Sequence, residues 1–250
     1  MGRKCFVFLL VFQLFTVLPV AAQSSFLRKV GRSNIPEQGL VLYAGVGATG
    51  VKSDICGSLP CNNIGPYVSL GALYKMTSTW GINVEANYLR LGAKEKVPEL
   101  NVAFQSEVIE VSGSVIINLL DSYSGSGNYR SSRKRFVVPY VKVGGGFIYY
   151  TATSYPSESS SLNESGMTYD PERKYPAIAG VVPFGGGLRF RFSDYISVAP
   201  ELMYHYTTSD YLDNIGPRIM AGGKSDHFAI AAIRVMYTPS KINDIFSKKR

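Results

Sequence analysis

The sequence has few charged residues and few cysteines for its length. Of its 250 residues only 18% are charged, against roughly 25% in ordinary soluble domains, and only 3 are cysteine. Beyond the N-terminus there is no uninterrupted run of about 18 apolar residues, which excludes a bundle of membrane-spanning helices. Apolar residues still make up 46% of the chain, and this excludes intrinsic disorder. With 17 tyrosines and no long apolar runs, the composition favours an all-β protein.

Motifs for catalysis and metal binding are also missing. No Walker loop, zinc motif or nucleophile elbow occurs. The glycine runs 144–146 and 185–187 lie inside predicted strands, without the strand–turn–helix setting that a phosphate loop needs. We therefore predict no catalytic residue, no metal site and no cofactor. A group of His227, Ser225 and Asp210 or Asp213 would permit a lipid-acting acyl hydrolase, but its spacing is not specific to that chemistry.

The first 22 residues have the pattern of a secretory signal peptide. Arg3 and Lys4 precede an apolar stretch over 5–20, and small residues follow up to Ala22. We predict that this segment is removed after export, with an uncleaved anchor helix as the alternative. Export also predicts a disulfide between Cys56 and Cys61, which flank a turn-rich stretch. Two free thiols in a loop are the alternative.

Eight segments of the body alternate apolar and polar residues with a period of two. The clearer ones are 80–88, 109–119, 184–192 and 196–206, and the weaker ones are 40–51, 67–75, 136–152 and 226–237. A period of two indicates strands, because it would spread apolar groups around the circumference of a helix. Most segments are about 10 to 15 residues long, against about 5 or 6 in globular proteins, and a tilted strand needs about 9 to 11 to cross a bilayer.

Aromatic residues near the ends of these segments fit two girdles at the membrane interfaces. They are Tyr67, Tyr74, Trp80, Phe136, Tyr149, Tyr150, Phe192, Tyr195, Tyr206 and Tyr237. The links between segments alternate between long and tight, except for the long link 121–135. We predict an eight-stranded antiparallel transmembrane β-barrel in the bacterial outer membrane. A secreted β-sandwich or lipocalin-like barrel is the alternative, and its apolar face would point inward.

Charged strand residues fall on the face that would line the barrel interior. They are Lys75, Glu85, Glu110, Lys142, Arg189, Arg191, Glu201 and Arg234. Eight strands leave an interior only wide enough for side chains, and opposite charges there can pair. We predict a plugged lumen, with a small ion pathway as the alternative.

Basic residues are concentrated in segments predicted to face the periplasm. The inner turn carries Arg130, Arg133, Lys134 and Arg135. Contact with anionic headgroups or plain solvation is one interpretation, and docking of an acidic periplasmic protein is the other. An exported protein is not expected to meet nucleic acid. We divide the chain into a signal peptide (1–22), a periplasmic N-terminal segment (23–39), the barrel (40–237) and a basic periplasmic tail (238–250).

Four stretches resemble a family of Bacteroidota-type outer-membrane barrels of largely unknown function. They are 101–119 (NVAFQSEVIEVSGSVIINL), 135–149 (RFVVPYVKVGGGFIY), 183–192 (PFGGGLRFRF) and 208–215 (TSDYLDNI), and the resemblance covers roughly 40–237. At least one member is associated with the type IX secretion machinery, where a small barrel contacts a periplasmic ring. The resemblance implies a similar task here and carries no catalytic residues.

Three functions follow as hypotheses. The first is a non-enzymatic scaffold or anchor in contact with outer-membrane lipid and lipopolysaccharide, which docks a periplasmic partner of a secretion complex. The second is a surface protein whose outer loops bind a ligand or host, as an adhesin does. The third is a lipid-modifying barrel enzyme.

Overall fold

The computed structural model describes residues 39–53, 59–95, 101–121, 135–171, 173–214 and 225–239. Its strands are β1 (Gly39–Lys52), β2 (Gly65–Lys75), β3 (Trp80–Lys94), β4 (Val102–Asn118), β5 (Val137–Pro156), β6 (Ala177–Arg191), β7 (Ile196–Thr207) and β8 (His227–Tyr237). Two short 3-10 turns, Leu59–Cys61 and Leu162–Glu164, lie in the links. Across these ranges, no helix has the length and apolar character needed to span a membrane.

The strands form a closed barrel in which each strand pairs antiparallel with the next. The barrel closes where β1 pairs with β8, for instance Val46 with Ile233. Closure gives every strand two hydrogen-bonded neighbours, so that no sheet edge is left for solvent or lipid. The predicted eight-stranded antiparallel barrel is confirmed.

Large apolar side chains cover the outside of the barrel, as period-two alternation requires. Val46, Leu70 and Phe147 are 64%, 63% and 70% exposed. The belt also includes Val68, Ile82, Val84, Ile109, Val111, Val143, Val182, Phe184, Leu202, Ile233 and Val235. The charged residues predicted for the lumen lie on the other face, in the interior, whereas Lys52, Arg90 and Glu107 are exposed on the outer wall. An apolar exterior around a charged interior is the construction of an outer-membrane barrel, and it places the chain in the outer membrane.

The inner end of the barrel has tight turns, whereas at the outer end the strands reach different heights. The tight turns β2–β3 and β6–β7 are closed by backbone bonds, such as that from the Met76 amide to the Trp80 carbonyl, at the end that we assign to the periplasm. At the opposite end β5 stays paired with β4 as far as Pro156, whereas its pairing with β6 ends at Tyr150. β3 also stays paired with β4 as far as Lys94, opposite Ala103, so the outer ends of β3, β4 and β5 project beyond the rest of the wall.

Two of the ten aromatic residues predicted for the girdles lie inside the barrel instead. Tyr67 is 2% exposed and Tyr150 is 0% exposed, whereas Trp80 and Tyr149 are 41% and 47% exposed. Tyr67 and Tyr150 occupy inward positions of their strands, because the face that a side chain joins follows its place in the alternation and not its distance from the strand end. The girdle prediction is wrong for these two residues.

Candidate functional site

The lumen is built in three levels along the barrel axis. An inner apolar cluster contains Leu73 and Met236, and an outer apolar cluster contains Phe104, Leu212 and Phe228. Between them, β3, β5, β7 and β8 each contribute one charged residue at mid-height. These four residues, Glu85, Lys142, Glu201 and Arg234, are called the charged layer below.

Each acid of the charged layer contacts both bases. Nζ of Lys142 lies 3.0 Å from Oε2 of Glu85 and 3.2 Å from Oε1 of Glu201. Nη1 of Arg234 lies 2.8 Å from the Glu85 carboxylate, and Nη2 lies 2.8 Å from that of Glu201. All four side chains are almost fully buried. A buried charge costs several kcal/mol unless it is paired, so the four groups are stable only as a neutral set.

Tyrosine hydroxyls complete the hydrogen bonding of the two acids. The Tyr43 hydroxyl lies 2.8 Å from Oε2 of Glu85, and the Tyr140 hydroxyl donates to Oε2 of Glu201 over 2.7 Å. Nη2 of Arg234 donates to the Tyr67 hydroxyl over 3.2 Å. The carboxylates are thus held in place by uncharged donors as well as by the bases. Sequence reasoning missed Tyr43 and Tyr140 and assigned Tyr67 to a girdle, although the period-two pattern that located the charges puts all three on the same face.

Glycines in the wall make room for two of these rings. A Cβ built at Gly71 would overlap the Tyr43 phenol, and one built at Gly187 would lie 2.8 Å from the Tyr140 hydroxyl. A side chain at either position would push a ring away from its carboxylate. The strand glycines therefore serve close packing and not phosphate binding.

A second buried contact between ionisable side chains lies closer to the outer end. Oε2 of Glu110 is 3.0 Å from Nδ1 of His205, and the His205 ring stacks on Phe228 with 4.5 Å between centroids. Of the two, Glu110 was among the predicted lumen residues and His205 was not. The pair carries opposite charges only while His205 is protonated.

The other three predicted lumen residues lie outside the charged layer. Arg189 is buried with its guanidinium 5.3 Å from the centroid of the Tyr140 ring, and Arg191 is also buried. Lys75 is half-buried at the inner end of β2 and lines a small cavity that Arg189 also lines. The structure thus brings Glu85, Lys142, Glu201 and Arg234 together and leaves the remaining four at other levels.

The outer mouth of the lumen is covered by residues 208–214, called the mouth segment below. Leu212 is fully buried against the outer apolar cluster. The Leu212 amide donates to Oδ2 of Asp226 over 2.9 Å, and Nδ2 of Asn214 donates to Oγ of Ser154 over 2.8 Å. The link after β7 therefore folds into the mouth at its start.

Tyr175, which lies just before β6, holds the outer side of the mouth segment in place. The Tyr175 hydroxyl donates to the Tyr211 carbonyl over 2.9 Å, and its ring packs edge-on to Tyr150. Burial raises the pKa of the Tyr175 phenol above its ordinary value. Tyr175 therefore favours the neutral hydroxyl, which is the form that donates this bond.

Two members of the hypothetical His–Ser–acid group, His227 and Asp213, lie on different faces of the wall. His227 lies on the outward face of β8, where its ring stacks on Tyr206 at 4.4 Å. Asp213 is 1% exposed and belongs to the mouth segment inside the barrel. Among the described residues, no group of three or more His, Cys, Asp or Glu is placed to hold a metal ion.

The disulfide and the basic inner turn fall mostly outside the described residues. Cys61 is buried at the end of the first 3-10 turn, but Cys56 is not described, so their disulfide stays a prediction. Arg130, Arg133 and Lys134 are likewise outside the described ranges. Arg135, the fourth residue of the predicted docking surface, lies two residues before β5 and is half-buried. The segments 1–38 and 240–250 are also not described.

Comparison with known proteins returns outer-membrane barrels at low similarity. No family model matches the sequence, and no curated protein matches it. Neisserial surface protein A (NspA) is 11% identical with a TM-score of 0.46, covering 80% of this chain and 96% of that one. Ail of Yersinia pestis, in complex with the heparin analogue sucrose octasulfate, is 14% identical with a TM-score of 0.43, covering 80% and 98%. A major outer membrane protein of Thermus thermophilus is 10% identical with a TM-score of 0.43, covering 79% and 97%.

Proposed function

We propose that the chain is a non-enzymatic anchor of the outer membrane, a plugged barrel that supports segments at both membrane surfaces. The observation that carries the proposal is the charged layer, which joins four strands across the lumen at mid-height. A pore would need those side chains to leave space for water. Here they occupy the interior and bind each other.

The charged layer also suits a supporting role mechanically. Glu85 on β3 and Glu201 on β7 are both bonded to Lys142 on β5 and Arg234 on β8. Changing the shape of the barrel would separate buried charges, which is costly in a medium of low dielectric constant. A wall that resists deformation holds the segments attached to its rims in a constant arrangement.

The partner that we propose is an acidic periplasmic protein of a secretion complex, bound at the basic inner turn. Two considerations support it. The turn carries Arg130, Arg133, Lys134 and Arg135, which complement acidic groups. The resemblance of residues 101–119 and 183–192 to a family with a secretion-associated member points to the same task.

Conductance in planar bilayers tests the plugged lumen. We expect the purified barrel to insert without producing a stable, large conductance step, because the charged layer fills the lumen. A stable step whose size rises with salt concentration would contradict the anchor and favour the ion pathway.

Crosslinking in native envelopes tests the periplasmic partner. We expect a variant with Arg130, Arg133, Lys134 and Arg135 replaced by serine to insert normally but to lose its crosslinked periplasmic proteins, identified by mass spectrometry. The matched control replaces Arg173 and Lys174, two basic residues of an outer link, by serine. Equal recovery from both variants, or recovery of surface proteins alone, would refute docking at the inner turn.

A second candidate function, binding of a ligand or host at the cell surface, is favoured by the projection that the outer ends of β3, β4 and β5 form. The link after β5 packs back on it, since Oγ of Ser157 donates to Oδ1 of Asn101 over 2.8 Å and Nζ of Lys94 donates to the Ser159 carbonyl over 2.8 Å. An ordered projection offers a constant surface to a partner. Replacing residues 157–171 by a short Gly-Ser linker should abolish cell attachment if this function is correct and leave it unchanged if the barrel acts only as an anchor.

A further inference from the structure

A groove lies on the outer wall of the barrel, where β6, β7, β8 and β1 run side by side. Its volume is about 770 Å³, and its lining is mainly apolar. The floor carries the small residues Ala48, Ala231 and Gly186. The surrounding walls carry larger side chains, those of Val46, Leu188, Leu202 and Ile233. The groove therefore lies in the part of the wall that faces lipid hydrocarbon.

Strand register explains why the outer surface of the wall has a depression at this point. Ala48 pairs with Ala231, Ala231 with Leu202 and Leu202 with Gly186, so three of these four outward positions carry at most a methyl group. The neighbouring outward row towards the inner end includes the branched residues Val46 and Ile233, which pair with each other. The row of small residues therefore forms a depression about one side chain deep.

The outer end of the groove is bordered by aromatic rings and a lysine. Phe184 and Tyr204 pack at 5.4 Å, and Tyr206 stacks on His227 at 4.4 Å. Lys52 pairs with His227 across the β1–β8 seam and is exposed. It follows Ala48 by four residues, or about 13 Å along a strand. Aromatic rings followed by a basic residue mark the depth at which lipid headgroups begin.

We infer that this groove binds one phosphorylated acyl lipid of the outer leaflet, of the lipid A type. An acyl chain fills the depression over Ala48, Ala231 and Gly186. The ammonium group of Lys52 pairs with a headgroup phosphate, and the Tyr206–His227 stack supports the headgroup beside it. The apolar groove and Lys52 lie in line along the barrel wall. The acyl chain and the phosphorylated headgroup of such a lipid follow each other in the same order.

A second copy of the chain is a poorer occupant of the same groove. Two copies in one membrane share their orientation, so a two-fold dimer has its axis along the membrane normal. Lys52 of each copy would then sit at the same depth on the contacting faces, and the like charges would repel. A phosphate group instead complements Lys52.

Native mass spectrometry of the detergent-purified full barrel, titrated with phosphorylated lipid A, tests the acyl part. We expect one lipid per barrel. Ala231→Phe should weaken binding at least about tenfold, because the ring fills the groove and displaces buried methylene groups. Ala48→Leu should act in the same direction and covers the case in which the first variant fails to insert. The matched control is Ala86→Phe, an exposed position on β3, and it should leave the affinity unchanged.

The headgroup part is tested with the same lipid A after removal of its phosphates. Lys52→Gln should weaken binding of phosphorylated lipid A about fivefold, because this is the effect of one basic group near an anionic surface. The affinity for the dephosphorylated lipid should stay unchanged. Arg90→Gln, a basic residue at the outer boundary of β3 that is paired with Glu107, is the control. Equal effects of Ala231→Phe and Ala86→Phe, indifference to the phosphates, or a wild-type dimer that Ala231→Phe abolishes would each overturn the inference.

Discussion

The middle of the lumen and its outer mouth are both closed, but by different means. The charged layer is made by side chains of the wall itself, each acid within 3.2 Å of both bases. The mouth is closed by a connecting segment, held by the burial of Leu212 and by single hydrogen bonds such as that to Asp226. One closure is part of the barrel, and the other lies on top of it.

Because the two closures differ, one mutation can lower the stability of the whole barrel while another loosens only the mouth segment. Removing one member of the charged layer leaves buried charges of the other members without compensation, so the cost falls on the whole barrel. Removing a contact of the mouth segment allows that segment to open while the strand pairs remain, since local opening costs less than global unfolding. An anchor needs the first kind of closure, whereas a surface that meets partners can use the second.

The largest effect is expected from Glu85→Gln, which removes the negative charge that Lys142 and Arg234 share. We expect the free energy of unfolding, measured by urea titration in detergent or vesicles, to fall by about 3 to 5 kcal/mol. The control is Glu107→Gln, which removes a carboxylate 2.7 Å from Nη2 of Arg90 with both side chains about half exposed. An exposed pair contributes about 0 to 1 kcal/mol, so similar losses in the two variants would show that the charged layer has no special weight.

A smaller and more local effect is expected from Leu212→Ala. Truncation of a fully buried leucine removes about 2 to 5 kcal/mol of packing, and here this sets how easily the mouth segment opens. Amide hydrogen exchange should increase over residues 208–214 and stay unchanged in β3 and β5. Conductance should remain absent, because the charged layer still fills the lumen.

Leu70→Ala is the control for the mouth prediction, since Leu70 is 63% exposed on the outer wall. It should leave the exchange of residues 208–214 unchanged. Faster exchange spread over all strands in Leu212→Ala, or a stable conductance step, would mean that the mouth segment supports the barrel as the charged layer does.

The charged layer could be predicted from the sequence, whereas the position of the mouth segment could not. Period-two alternation located the eight strands, and it placed the four members of the charged layer on the inner face, because each depends only on its position within one strand. The inward course of the mouth segment could not be predicted in this way. It depends on Leu212 meeting an apolar cluster contributed by distant strands, and the segment itself has no periodicity. The same alternation puts His205 on the inner face of β7 with Glu201, but its contact with Glu110 of β4 joins strands that are not neighbours and could not be predicted from either strand alone.

The smallest effect is expected from Tyr175→Phe, which removes the hydroxyl that donates to the Tyr211 carbonyl. Near neutral pH this should lower the free energy of unfolding by about 1 kcal/mol. Burial raises the pKa of Tyr175, so its contribution to stability is fully present below the unfolded pKa of about 10 and is lost as the pH rises towards the higher folded pKa. In urea titrations the difference between wild type and Tyr175→Phe should therefore stay constant from pH 8 to about pH 10 and shrink as the pH rises further, on the order of the 1 kcal/mol of the lost bond. Tyr195→Phe, at an exposed tyrosine of the inner turn, should match the wild type throughout. Parallel loss of stability in wild type and Tyr175→Phe would mean that ionisation of Tyr175 is not what releases the mouth segment at alkaline pH.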